Sequence, residues 1–183
     1  MRGPVKKARV TQEQRRDDVI KAALIEFGRT GYSGTTTSVI AQRAGIRQPY
    51  IYALFENKRA LFLACHDVLI ERLIETFEQA AETESEPYAK LRRMGLAYVG
   101  LLNDLDGMRC HLQILASAGV EELREPIREG FNRTFEEAVR ISGCEKEEVA
   151  LFFGRGILLA AMSTLGEPAE VLDFLKMPKD PPA

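Results

Sequence analysis

The run Arg47-Gln48-Pro49-Tyr50 contains the residue types that best fit recognition of base edges in DNA. Arginine can form two hydrogen bonds with guanine, glutamine can pair with adenine, and tyrosine or proline can contact a thymine methyl group. The alternative is a polar surface turn, and which residue would read which base stays open. We favour base contact for these four residues.

Hydroxyl and cationic groups near this run fit contacts with the phosphate backbone. Thr36 and Thr37 can offer hydroxyl groups at the start of a helix, where free amides and the helix dipole also favour an anion. Both threonines can equally act as helix caps, and the two roles are compatible. A basic stretch at residues 2–9 can reach the minor groove or the backbone, or can be a solvated tail.

The distribution of charge agrees with a polyanion as partner of the N-terminal part. Residues 1–60 hold twelve Lys and Arg against five Asp and Glu, whereas residues 61–183 hold thirteen against twenty-two. The whole chain has a formal net charge of only -2, so the asymmetry is visible only when the two parts are compared. Such a split is typical of a nucleic-acid-binding segment joined to a region with another role.

Helical spacing of apolar residues positions these candidates. A first helix is predicted from about Gln12 to Arg29, with breaks at Gly31 and Gly34. A second is predicted over Thr37–Ala44 and a third over Gln48–Phe55, because Gly45 can end a helix and Pro49 is tolerated in a first turn. Two short helices joined by a tight turn and packed on a longer one are typical of a helix-turn-helix DNA-binding unit.

Longer helices are predicted for the rest of the chain. Asn57 can cap a helix that reaches about Ala81, and a second helix follows over Tyr88–Leu105. Gly107 is interpreted as a break before a shorter helix over Met108–Ala118. The last two helices are predicted over Glu121–Ile141 and Glu145–Leu165. The fold class is therefore all-α, with a DNA-binding head at residues 1–56 and a helical body at residues 57–183.

The segment GYSGTTTSVIAQRAGIRQPYIYALFENKRALFLA, residues 31–64, resembles the signature of the tetracycline-repressor (TetR) family. The matching positions are Gly31-Tyr32, Thr35-Thr36, Ile40-Ala41, Ala44-Gly45-Ile46, Tyr52 with Phe55, Lys58 and Leu61-Phe62. The resemblance implies a homodimeric, ligand-controlled DNA-binding regulator, in which Tyr52 and Lys58 contact phosphates. The alternative for Lys58 is a solvated cation. Arg47 and Leu54 depart from the family pattern, which commonly has a small capping residue and a histidine there.

The body carries candidates for a small-molecule site, because polar groups are interspersed among apolar ones along its helices. A cavity between helices with a few polar groups is the usual form of such a site. The alternative for each apolar residue is a place in the core. The candidate ligand-binding residues are Phe62, His66, Leu69, Leu73, Met94, Tyr98, Leu101, Leu102, Met108, His111 and Leu115.

The last two helices are the best candidates for a homodimer interface. Small residues in the final helix would let a partner helix approach closely, and its apolar content exceeds what one buried face needs. Packing within one chain is the alternative. The candidate interface residues are Phe131, Phe135, Phe152, Phe153, Gly156, Leu159 and Ala160.

Other classes of function find little support in the sequence. The three cysteines, Cys65, Cys110 and Cys144, form no pair with metal-ligand spacing and fit a reduced, cytoplasmic protein. No catalytic motif is present, and we expect no enzyme activity, metal or cofactor. The apolar stretch from Val149 to Leu165 is interrupted by Arg155 and short for a membrane span, so we predict a buried helix.

The sequence thus predicts a DNA-binding transcriptional repressor that a small, largely apolar ligand releases from a palindromic operator. The partners would be double-stranded DNA, a second copy of the chain and an effector, with no membrane. Two alternatives remain open. One is a DNA-binding protein of this fold without a small ligand, acting through a protein partner or in chromosome organisation. The other is an enzyme on a helical scaffold.

Overall fold

The computed structural model of the chain describes residues 11–166. Within that range there are eight α-helices and no strand, so the all-α prediction is confirmed for the described residues. The basic stretch at residues 2–9 and the C-terminal segment after residue 166 lie outside them. The helices are α1 (Gln12–Gly34), α2 (Thr37–Arg43), α3 (Gln48–Leu54), α4 (Lys58–Ala81), α5 (Pro87–Leu101), α6 (Leu105–Ala116), α7 (Glu121–Ser142) and α8 (Lys146–Leu165).

Helix α1 begins at a capping box and carries the apolar stripe that the spacing predicted. The Thr11 hydroxyl accepts from the Gln14 amide at 3.1 Å, and the Gln14 side chain accepts from the Thr11 amide at 2.8 Å. Val19, Ala23 and Phe27 are fully buried. The helix continues past its predicted end, with a kink at Gly31, whose φ of 69° only glycine adopts readily.

Helices α2 and α3 form the helix-turn-helix. Helix α2 ends where Gly45 adopts a φ of 65°. The Gly45 amide donates to the Gln42 carbonyl at 3.2 Å and the Ile46 amide to the Ala41 carbonyl at 3.0 Å, which satisfies the last carbonyls of the helix. Pro49 then lies in the first turn of α3, where its missing N–H costs nothing.

Helix α4 belongs to both parts of the molecule. The Asn57 side chain caps it by accepting from the Ala60 amide at 2.8 Å, as predicted. Its first turns place Leu61 and Phe62 in the core that surrounds α1 to α3, whereas Phe77 lies in the core of the body. A movement of this helix would therefore affect both cores.

The prediction that Gly107 breaks a helix is wrong. Helix α5 ends at Leu101, and α6 already begins at Leu105 because Asp104 is its N-cap. The Asp104 carboxylate accepts from the Gly107 amide at 3.0 Å, which places Gly107 inside the first turn. The next long helix was predicted to end at Ile141, and α7 ends one residue later, at Ser142, because Gly143 adopts a φ of 73°.

The head and the body pack directly against each other through α1 and α6. A Cβ atom on Gly28 would lie 3.0 Å from the Asp106 carbonyl oxygen and 3.1 Å from the Cys110 amide nitrogen. The two backbones can approach this closely because residue 28 has no side chain. The core around α1 also includes residues of α6 and α7. The division at residues 56 and 57 stays a prediction about roles, since the packing is continuous across it.

The prediction that the last helix is buried is wrong for the single chain. Only Val149, Phe152, Leu159 and Ala160 of α8 are buried. Leu151, Leu158 and Leu165 are 58%, 45% and 73% exposed. Among the described helices, α8 is the one that is long and apolar enough to cross a membrane, a property that core helices of soluble proteins share. Within residues 11–166, nothing covers these exposed side chains of α8.

Candidate nucleic-acid interface and cavity

Helix α3 presents the predicted reading residues together on one surface. Its buried residue is Ile51, which joins the core of the head. Arg47, Gln48, Pro49 and Tyr50 are all exposed at its N-terminal end. Tyr50 and Tyr52 are 40% and 50% exposed, which is high for tyrosine side chains in a folded domain.

The hydroxyl of Thr37 holds the side chains of Gln48 and Tyr52 in place. Thr37 itself is too buried to contact DNA. It is only 5% exposed. Its hydroxyl accepts from Gln48 Nε2 at 2.8 Å and lies 3.0 Å from the Tyr52 hydroxyl. When Thr37 donates to Tyr52, the Tyr52 proton stays available for an anion. The phosphate-contact interpretation of Thr37 is therefore replaced by a positioning role, whereas Thr36 is exposed and its hydroxyl caps α2 by accepting from the Val39 amide.

The ammonium group of Lys58 makes most of its contacts within the protein. Lys58 is therefore not a solvated cation, and its side chain does not extend freely toward a phosphate. Its Nζ donates to the carbonyl oxygens of Tyr32 at 3.0 Å and Thr35 at 3.3 Å. It also lies 4.4 Å from the centre of the Tyr32 ring, within cation–π distance. One of its three protons remains for a phosphate. Lys58 thus fastens the start of α4 to the end of α1.

A partly buried ion pair, which the sequence did not reveal, connects α2 to α1. Glu26 lies in α1 with its side chain 9% exposed, and Arg43 Nε approaches its carboxylate to 2.5 Å. The two residues are seventeen positions apart, so no local pattern reveals the pair. A buried carboxylate needs such a partner, and removing either residue would leave the other charge unpaired.

A second connection that the sequence did not reveal joins the head to α7. Pro126 lacks the amide that would donate to the Glu122 carbonyl one turn earlier. Arg59 Nε donates to that carbonyl at 3.1 Å. The Tyr32 hydroxyl donates to the Glu122 carboxylate at 2.8 Å. Burial and the Glu122 carboxylate raise the pKa of Tyr32 to about 12, so the hydroxyl keeps its proton.

The body contains a cavity between α4, α5, α6, α7 and α8. It comprises about 610 Å³ of space, part of which is open to solvent. The walls are mainly apolar and aromatic. The lining residues are His66, Leu69, Ile70, Leu73, Phe77, Tyr98, His111, Leu115, Phe131, Thr134, Phe152, Phe153, Gly156 and Ile157.

Six of the predicted ligand-binding residues line this cavity, namely His66, Leu69, Leu73, Tyr98, His111 and Leu115. A smaller adjoining cavity shares four of them and adds Leu101 and Met108. Phe62 instead packs edge-to-face on Phe27 in the core of the head, with ring centres 4.9 Å apart. Met94 and Leu102 are buried in the core of the body and line neither cavity. Phe62, Met94 and Leu102 were predicted to bind a ligand, but they do not line either cavity.

In the cavity, His66 is buried and His111 is partly exposed, and both imidazoles are neutral at pH 7. Burial lowers the pKa of His66, and burial together with the neighbouring His66 lowers the pKa of His111 to about 4. The Tyr98 hydroxyl lies 3.9 Å from the sulfur of Met108, a weak acceptor, and burial raises its pKa to about 12. Among the described residues, no cluster of three or more His, Cys, Asp or Glu side chains could hold a metal ion.

Three of the seven predicted dimer residues are buried in the single chain, namely Phe152, Leu159 and Ala160, and the other four are partly exposed. Phe131, Phe152, Phe153 and Gly156 line the cavity. Phe135 packs on Phe153 with ring centres 5.3 Å apart, and Leu159 and Ala160 are buried. The assignment of the dimer interface to α7 and α8 stays a prediction. The exposed apolar side chains of α8 are Leu151, Ile157, Leu158 and Leu165.

Comparison with known proteins accounts for this architecture. Residues 19–65 match the family model described as bacterial regulatory proteins, tetR family. This segment, which includes α2 and α3, is thus similar to tetR-family regulators. It is 35% identical over 97 residues to tetracycline repressor protein class D of Escherichia coli, a match that covers 53% of this chain and 44% of that relative. It is 29% identical over 102 residues to the HTH-type transcriptional activator FasR of Mycolicibacterium smegmatis, covering 55% and 47%.

These matches span less than half the length of the two curated relatives. The similarity of fold extends further. The fatty acid degradation regulator FadR from Bacillus halodurans superposes with a TM-score of 0.76 at 16% identity, covering 91% of this chain and 94% of that one. A TetR-like transcriptional regulator from Rhodococcus sp. RHA1 gives 0.73 at 20% identity, covering 92% and 94%. The similarity of fold to these two solved structures thus includes the body, whose sequence carries no recognisable motif.

Proposed function

We propose that the chain is a homodimeric transcriptional repressor that a small, largely apolar ligand releases from its operator. The observation that carries this proposal is the exposed N-terminal end of α3, where Gln48 and Tyr52 are held in place by Thr37. A helix presented in this way fits the major groove of DNA. Repression is chosen over activation because it is the commoner behaviour in the family.

The dimer proposal rests on the exposed face of α8. Leu151, Ile157, Leu158 and Leu165 carry no charge, so the same patch on a second copy complements it around a two-fold axis. Two heads related in this way would read half-sites about 34–36 Å apart on an inverted repeat. We expect Leu158→Glu to convert the dimer into a monomer in light scattering. Leu96→Glu, at an equally exposed leucine of α5, is the matched control and should leave the dimer intact.

Release by a ligand requires that the ligand bind the DNA-free shape better than the DNA-bound shape. A shift from mostly bound to mostly free needs a difference of about 5 kcal/mol between the two states. Helix α4 supplies a route, since His66, Leu69 and Leu73 line the cavity while Leu61 lies in the core of the head. A tilt of this helix would move the two heads out of register with the grooves.

The direct test is a fluorescence-anisotropy titration on DNA taken from beside the coding region of the protein. We expect salt-sensitive binding, because neutralised phosphates release counterions. Arg47→Ala and Tyr50→Ala should each weaken binding by about 1–3 kcal/mol. The regulator proposal would be abandoned if the chain bound no such DNA with a dependence on salt and both variants behaved as the parent does.

The cavity bears on the two alternatives. A regulator without a small ligand would be expected to have a solid core, and the space lined by His66 and Phe131 argues against it. An enzyme would be expected to combine shifted pKa values with a reactive group. The shifts of His66, His111 and Tyr98 are caused mainly by burial, and no carboxylate or cysteine lies among the lining residues. We propose that the protein acts in the cytoplasm, where it meets DNA.

A further inference from the structure

The side chain of Tyr32 lies at the junction between the head and the body, near the end of α1. Its ring packs on the ring of the fully buried Phe62, with ring centres 5.0 Å apart. Its hydroxyl donates to the carboxylate of Glu122, in the first turn of α7, at 2.8 Å. Contacts from α4 and from α7 therefore fix the position of this one aromatic ring.

The same ring holds the ammonium group of Lys58, the first residue of α4. Lys58 Nζ lies over the Tyr32 ring, 4.4 Å from its centre, and donates to the carbonyl oxygens of Tyr32 and Thr35. A ring face and a carbonyl oxygen both attract a cation, but neither carries a negative charge. One N–H and the full charge of Lys58 therefore remain for an anion.

No carboxylate neutralises that ammonium group. None of the ion pairs among residues 11–166 includes Lys58. Arg43 of the head differs in this respect, because it is paired with Glu26. A lysine that is already ordered loses less conformational entropy when it meets a phosphate than a freely moving lysine does. Lys58 is thus ordered by neutral acceptors and keeps its charge for a phosphate of DNA.

We propose that Tyr32 and Glu122 are positioning residues for DNA binding: Glu122 holds Tyr32, and the Tyr32 ring holds the Lys58 ammonium where it meets a backbone phosphate. The inference rests on the proposed function and adds to it a residue of the body. Glu122 touches no DNA in this arrangement and acts through Tyr32. The head therefore depends on α7 for one of its phosphate contacts.

The test is a fluorescence-anisotropy titration of the full-length protein at several salt concentrations, on a duplex taken from beside the coding region. Lys58→Gln should reduce the slope of log affinity against log salt by about 0.9 for each head. Tyr32→Leu should reduce the slope in the same direction and weaken binding about tenfold for the two heads together, because the lysine must then be ordered on binding. Lys90→Gln and Tyr88→Leu, at partly exposed positions of α5, are the matched controls and should behave as the parent does.

Glu122→Ala separates positioning from a simple effect of charge. Removing a negative charge strengthens DNA binding where charge alone matters, because repulsion of the phosphates decreases. We expect the opposite, a weakening of about threefold, because the Tyr32 hydroxyl loses its acceptor. The bond from Arg59 to the Glu122 carbonyl oxygen uses the backbone and is kept. Glu121→Ala, in the same first turn of α7, is the control and should bind DNA at least as tightly as the parent.

The double variant Tyr32→Leu/Lys58→Gln decides whether Tyr32 acts through Lys58. We expect it to bind the duplex within about twofold of Lys58→Gln alone, because the two substitutions remove the same contact. A substitution that merely disturbed the fold of the head would weaken the Lys58→Gln variant by the same factor as the parent, and that result would overturn the inference. Tighter binding by Glu122→Ala, or an unchanged salt slope in Tyr32→Leu, would also overturn it.

Failure of the inference is separable from failure of the proposed function. A parent that binds the duplex with a dependence on salt, while the double variant shows no coupling between Tyr32 and Lys58, would refute the positioning roles and leave the regulator proposal standing. A parent that binds no DNA would refute both.

Discussion

Replacing Thr37 by valine tests whether the Thr37 hydroxyl positions the side chains of α3 that would contact DNA. Valine keeps the branched shape of threonine but has no hydroxyl group, so Gln48 and Tyr52 each lose a hydrogen-bond partner. Both partner side chains are exposed, and water can replace the lost bonds. Since a hydrogen bond contributes about 0.5–1.5 kcal/mol net, we expect the free energy of unfolding to fall by only about 1 kcal/mol.

The effect on DNA binding should be larger than the effect on stability. Gln48 and Tyr52 would have to be ordered on binding, at about 0.5–1.5 kcal/mol for each side chain. We therefore expect operator affinity to fall about tenfold in anisotropy titrations at constant salt. The slope of log affinity against log salt should stay unchanged, because Thr37→Val removes no charge.

Thr76→Val is the control for this experiment. It also removes a hydroxyl from a helix, one that donates to the Arg72 carbonyl in α4, far along the chain from the reading helix. Its operator affinity should equal that of the parent. The positioning role of Thr37 would be refuted if Thr37→Val bound DNA with the affinity of the parent while its stability fell as expected.

Three further predictions concern the body and its connection to the head. Gly130→Ala should lower the free energy of unfolding by about 1–3 kcal/mol, because the new Cβ atom would collide with His66 and Ile70. Gly100→Ala, at an exposed helical glycine with open space around it, should be neutral or stabilising. Equal effects of the two substitutions would contradict the close packing at Gly130. Burial lowers the pKa of His111 to about 4, so the neutral ring contributes stability that is complete above about pH 6.5 and is lost as the pH falls toward 4. The parent should therefore lose about 2 kcal/mol more than His111→Leu between pH 7.5 and 5 in urea unfolding, and parallel curves would disprove this. Tyr32→Phe removes the hydrogen bond to Glu122 and should change the ligand concentration needed for release from DNA without changing ligand affinity in the absence of DNA, whereas Tyr88→Phe in α5 should change neither.

The helix-turn-helix could be predicted because its signals are local. Gly45 ends α2 and Pro49 starts α3 within five residues, and each acts through its own backbone. The role of Thr37 could not be predicted in the same way. Its hydroxyl meets side chains eleven and fifteen residues later, across the turn, so the contact exists only once the helices have packed.

The cavity shows what helical periodicity in the sequence can predict and what it cannot. Helical spacing placed His66, Leu69 and Leu73 on one face of α4, and that face does line the cavity. Spacing also placed Phe131 and Phe153 on apolar faces of α7 and α8. Periodicity identifies an apolar face but not what covers it, and in the single chain these two phenylalanines line the cavity.

In the proposed mechanism, helix α6 would give the ligand a second route to the head besides α4. His111 and Leu115 line the cavity, whereas Cys110 and Ile114, one position earlier in each turn, lie in the core of the head. The α6 backbone also meets α1 directly at Gly28, at distances that leave no room for a side chain. A rigid helix with its two faces in two such places cannot shift at one face without moving the other. A ligand that displaces His111 must therefore also move α1 or strain its contact at Gly28, and α4 need not be the only helix that transmits the signal.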